Sequence, residues 1–168
     1  MYEVLLKKTN NFFLYILLTA CTVFASIHFI KSIPLTPYLI GTFAVFYFFL
    51  FLSKSKIHLE KMSFILSLSS LILILGICFF TGGVEAPATR WLHAVFLFIF
   101  ISNNYKKIIS LITLFLVLVI LYQILKAQGL TPENVLGEHN QFIHMASTIA
   151  SILTTFTLLF FYQQYFRD

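Results

Sequence analysis

Histidines are the residues of this chain best suited to chemistry, and four of the five cluster by position. His28, His93, His139 and His144 fall at the ends of long apolar stretches that should face one common side, whereas His58 lies in a loop among lysines and is expected to face water. Imidazole is the commonest metal ligand and titrates near neutral pH. Such a group can hold zinc, copper or manganese, ligate haem, or sense acidity. Tyr38, Glu85, Arg90, Trp91, Glu138, Asn140 and Gln141 lie at the same depth in the sequence pattern. The candidate ligand-contacting set is therefore His28, Tyr38, Glu85, Arg90, Trp91, His93, Glu138, Gln141 and His144, lining a bowl with aromatic walls. Within it, His93 and His144 rank ahead of His139 as the deepest histidines. A divalent metal ion is expected ahead of haem. His139 and His144 are five apart and point about 140° away from each other on a helix, while Asn140 and His144 share a face. A plainer account of each residue stands beside this one. Interfacial histidines often bond a loop carbonyl, and Tyr38 and Trp91 suit the aromatic belt of a membrane boundary.

Catalytic signatures are missing from the sequence. It has no HExxH helix, no GxSxG elbow and no Walker glycine loop. Proton-driven carriers keep a carboxylate near mid-membrane, and every acidic residue here lies at a stretch end or in a loop. An enzyme, a pump or an exchanger is not expected.

The elements that must position the histidines are apolar helices. Hydrophobic residues make up 60% of the chain and charged residues 10%, which predicts an all-α polytopic membrane protein with one membrane domain over residues 1–168. Six spans are expected: Phe12 to Ile30, Leu35 to Leu52, Met62 to Phe80, Ala86 to Ser102, Lys107 to Leu125, and Asn140 to Tyr162. Lys7, Lys8, Lys54, Lys56, Lys61, Lys106, Lys107 and Arg167 fall on one side, and Lys31, Arg90 and Lys126 on the other. Positive residues favour the cytoplasm, so both termini are placed there, in a cell inner membrane. The fourth span has the shortest apolar run; without it the charges would divide six to five, which argues for its crossing. Arg90 must then snorkel outward or pair, with Glu85 as the nearest acid.

The stretch Leu18-Thr19-Ala20-Cys21 mimics a lipoprotein signal, but Thr22 to Ile30 extends the apolar run to spanning length, so an uncleaved helix is expected. Cys21 and Cys78 have no metal-ligand spacing and read as reduced packing residues. The loops around Gly82-Gly83 and Gly129 to Gly137 fall on the histidine side. The sixth span repeats small and hydroxyl residues, and alone offers hydroxyls through the full bilayer depth. Asn140, His144, Ser147, Ser151, Thr154, Leu158, Phe161 and Tyr165 are spaced alternately four and three, the pattern of a coiled-coil seam. Ser147, Ser151, Thr154, Leu158 and Phe161 are the expected homodimer interface.

The run Thr81-Gly82-Gly83-Val84-Glu85-Ala86-Pro87, followed by Trp91, resembles the passage between helices 3 and 4 of the six-helix input domains of bacterial sensors. Such domains precede histidine kinases, including relatives of autoinducer receptors, and class III adenylyl cyclases or diguanylate cyclases. Ala86 replaces an expected Ser or Asn, and His93 an aliphatic residue or proline. The resemblance implies a sensory and dimerisation module that detects a small ligand, metal ion or pH at its outer face, and for a metal it implies Glu85, His93, Glu138 and His144 as candidate ligands. It would relay the signal through the sixth helix to a kinase or cyclase domain in cis, with the lipid bilayer and a second copy as its other partners and no nucleic acid. A haem- or metal-binding membrane oxidoreductase subunit and a small transporter or channel are the alternatives.

Overall fold

In a medium without water, a backbone must satisfy its own hydrogen bonds, and long apolar sequences do so as helices. The computed structural model describes residues 2–33, 35–81, 86–130 and 140–167, with side chains of the last helix described from 141 to 164. The described elements are helices throughout: α1 Tyr2–Ile30, α2 Thr36–Ser53, α3 Leu59–Thr81, α4 Leu92–Ser102, α5 Tyr105–Ala127 and α6 Asn140–Arg167. Short 3-10 segments cover Lys54–Lys56 and Pro87–Trp91. Five helices are long and apolar enough to cross a membrane, and Pro87–Ser102 is a shorter apolar segment. Their outward faces carry residues such as Phe49, Leu153 and Phe156, each more than 60% exposed. Water does not tolerate that much contiguous apolar surface, so this is the helix length and exterior of a multi-pass membrane protein.

α3 is the central element, packing against α1, α2, α4 and α5. α1 and α2 form an antiparallel hairpin, and α6 packs on the Pro87–Trp91 segment, on α4 and on α1. Ring contact between Phe12 and Phe161 (centroids 5.2 Å apart) joins the start of α1 to the end of α6. Ile33, just past α1, packs in one small cluster with Ile143 near the start of α6. α1 and α6 therefore run antiparallel. The core centres on Phe13 stacked on Phe98, with centroids 3.9 Å apart, and on Leu14, Leu66, Val95 and Leu158.

Pro87–Ser102 runs back alongside α3, bringing Asn103 Nδ2 to 2.9 Å from Ser67 Oγ. Its five 3-10 residues rise more steeply than α-helix, so the sixteen residues reach roughly 26 Å. That is close to the hydrocarbon thickness of about 30 Å. The short apolar run thus gains length by changing helix type.

Two sequence expectations change here. α1 begins at Tyr2 and not near Phe12, because nothing breaks the helix and Asn10 is buried against α3: its Nδ2 donates to Leu59 O at 3.0 Å, and Ser63 Oγ donates to its Oδ1 at 2.9 Å. Hydroxyls through the depth of the bundle are not confined to α6. Ser63, Ser67, Ser70 and Thr81 on α3 are all buried, spaced on one helical face that turns toward the core. At this lysine-rich end, Ser102 Oγ donates to Phe98 O at 2.5 Å, and Asn103 Nδ2 also reaches Ser102 Oγ at 3.1 Å. Lys107 pairs with Glu60 at 3.1 Å on the surface.

Candidate ligand site at the His28 end

The turn that ends α1 decides where His28 goes. Ser32 adopts a positive φ of 54°, Ser32 N–H donates to Phe29 O at 3.0 Å, and Ile33 N–H donates to His28 O at 2.9 Å. This 5→2 and 6→1 pair is a Schellman cap, and Ile33 packs beside Ile27 as such a cap requires. The reversal brings the first residue of α2 against the end of α1. His28 Nδ1 lies 2.7 Å from Thr36 Oγ1, with His28 3% exposed and Thr36 fully buried.

His28 forms part of the wall of a cavity of about 70 Å³ among α1, α2, α3, α4, α6 and the Pro87–Trp91 segment. Apolar side chains line most of it, including Leu17, Ile74 and Val95. Cys21, Ser70, Thr81, Trp91 and Ser147 add isolated polar atoms. Ser70 and Thr81 are already engaged: Ser70 Oγ donates to Leu66 O at 2.6 Å and Thr81 Oγ1 to Ile77 O at 2.7 Å. The cavity is bounded on one side by α6 through Ile143 and Ser147, and on another by Pro87, Ala88 and Trp91. These two walls are tied together. Ser147 Oγ donates to Pro87 O at 2.8 Å and Ser151 Oγ donates to Arg90 O. The arrangement can hold a small, mostly apolar molecule whose presence bears directly on α6.

The expected bowl is assembled only in part. His28 and Trp91 line the cavity. Tyr38 is 71% exposed, and Arg90, His93 and Gln141 are exposed as well. His93 Nδ1 sits 3.3 Å from the Arg90 carbonyl of the preceding 3-10 segment, and His144 is half-buried. The ranking of His93 and His144 as the two deepest histidines is thus reversed in favour of His28, because the Schellman reversal folds the end of α1 under α2. Glu85, Glu138 and His139 lie outside the described residues. Among the described residues, no three His, Cys, Asp or Glu side chains gather to hold a metal, so His93 and His144 acquire no third ligand there. Cys21 and Cys78 are free and buried.

The residues expected at a homodimer seam pack within the single chain. Ser147, Ser151 and Thr154 are 2–3% exposed, Leu158 is fully buried, and Phe161 packs on Phe12, all within one chain. Small residues spaced four and three allow close backbone approach to any neighbour. Here the neighbour is the Pro87–Trp91 segment and α4, whose carbonyls the two serines satisfy. Asn140 and Tyr165 side chains lie outside the described residues. The cavity itself was missed in the sequence; its one legible sign was Thr36 eight residues after His28 across a short turn.

Compared with known proteins, the chain matches no family model, no curated protein and no solved structure.

Proposed function

We propose that this chain is a membrane-embedded sensory module with six crossings and its lysine-rich end in the cytoplasm, detecting a small molecule in the His28 cavity and relaying its presence through α6 to a cytoplasmic output domain. One observation carries this reading. The cavity wall is built from α6 and from the Pro87–Trp91 segment, and Ser147 and Ser151 bond the one to the other. An occupant that moves either wall must move or strain the second. α6, an unbroken helix of 28 residues, then continues to the lysine-rich end. That gives the relay a physical element which the ligand can bias, as coupling between distant sites requires.

Trp91 is the only tryptophan and lines the cavity, so its emission reports occupancy. In nanodiscs, isobutene should shift Trp91 emission saturably. At the same time, the distance between spin labels on Lys56→Cys and Gln163→Cys, both exposed at the lysine-rich end, should change. Saturable binding with an unchanged label distance would reject the relay. No saturable binding would reject the site.

A second reading, a narrow permeation path, draws on the buried hydroxyl row of α3 from Ser63 to Thr81. Solute flux into liposomes containing the purified chain would favour it over sensing.

A further inference from the structure

Resting on the reading of the cavity as the ligand site, we infer that its occupant is an uncharged, compact molecule presenting a hydrogen-bond acceptor, such as a ketone, ester or ether oxygen, to the Nε2–H of His28. The argument begins with Thr36. Most hydroxyls in this bundle donate to a helix carbonyl three or four residues back, as Thr22, Ser26, Thr42, Thr81 and Thr148 do. Thr36 opens its helix, so the residues three and four before it belong to the turn and provide no helical carbonyl. Among the described residues its only partner is His28 Nδ1 at 2.7 Å. A fully buried hydroxyl places its proton on the acceptor it has.

With Thr36 donating, Nδ1 must carry the lone pair and the neutral ring must carry its proton on Nε2. That N–H makes no hydrogen bond among the described residues, and it is not sealed off as a buried orphan, so the open space beside it is the cavity that His28 borders. A donor that faces an apolar cavity without a partner is costly, and a ligand oxygen in the cavity removes that cost. The surrounding wall is aliphatic and aromatic, with the Ser70, Thr81 and Ser147 hydroxyls already donating to carbonyls. A charged group would be left without the several partners it needs. The volume of about 70 Å³ is about half of the roughly 150 Å³ that holds benzene, which limits the occupant to about three or four heavy atoms.

The test uses the full chain in nanodiscs and two probes of one shape, acetone and isobutene, read by Trp91 emission. After correction for partitioning into lipid, acetone should bind roughly tenfold more tightly, the size expected for one buried hydrogen bond to a donor otherwise left unpaired. His28→Gln keeps an N–H near the Nε2 position and should retain part of the preference. His28→Asn places its amide near Nδ1 and should lose it. Imidazole ¹⁵N spectra of the unliganded wild type should show His28 protonated at Nε2, which tests the assignment even if the variants fail to fold. Equal binding of both probes would overturn the acceptor requirement while leaving the cavity as a binding site. Binding of neither would overturn both readings, and protonation at Nδ1 would overturn the donor assignment.

Discussion

Replacing both Ser147 and Ser151 with Leu distinguishes a seam inside the bundle from a seam between copies. Each serine is 2–3% exposed and gives its hydroxyl proton to a carbonyl of the Pro87–Trp91 segment. Interhelical hydrogen bonds of this kind contribute about 0.6 kcal/mol on average in membranes, reaching about 1.7 kcal/mol. Ser147→Ala with Ser151→Ala should therefore cost about 1–3 kcal/mol. The effects should not simply add, because both carbonyls belong to one short segment. Leucine removes the same bonds and forces two more heavy atoms into each site, at about 1–3 kcal/mol per site for overpacking. The double Leu variant should lose about 3–9 kcal/mol, a large part of the stability of an ordinary domain. Unfolding is measured with micelles in such excess that each holds no more than one chain. Under those conditions an intermolecular seam contributes nothing. If the isolated double Leu variant unfolds like the wild type, with only its association weakened, the intramolecular packing described above is wrong.

Three further outcomes follow from the same geometry. Asn10→Leu should destabilise the isolated chain by about 1–3 kcal/mol in the same unfolding assay, because Leu59 O and Ser63 Oγ lose a buried partner. Ser32→Gly should raise stability by up to about 1 kcal/mol, since φ of 54° suits glycine better than serine at this cap position; a lower melting temperature would contradict the Schellman assignment. Glu60→Gln should change stability by less than about 0.5 kcal/mol, because the Lys107 pair is partly solvated, at 28% and 51% side-chain exposure.

The helices themselves were legible from their apolar runs, since length and composition suffice to specify helix in lipid. The extent of α1 was not. Lys7 and Lys8 read as a boundary in the sequence, yet the helix runs through them because Asn10 finds partners on α3. The face of α6 was legible but not its partner: spacing identifies a stripe that approaches something closely, and Ser147 could have met another copy as readily as Pro87. Histidine depth was illegible for a related reason. His28, His93 and His144 all lie near span ends, and what separates a buried ring from an exposed one is the direction of the turn at Ser32.

The most apolar of the five long helices, α5, is also the least buried, whereas half of the central window of α3 is enclosed. In water such an inversion would precipitate the protein; in a bilayer it separates insertion from assembly. α5 has enough hydropathy to enter lipid by itself, and the bundle holds it mainly through α3, Leu111 and the Phe96–Phe115 contact. α4 is its opposite. Short, and with Ala94, Val95, Phe98 and Ile99 fully enclosed, it depends on company. Over evolutionary time the two should accept change differently: α5 tolerates almost any exchange among apolar residues, while α4 drifts only in step with α1, α3 and α6.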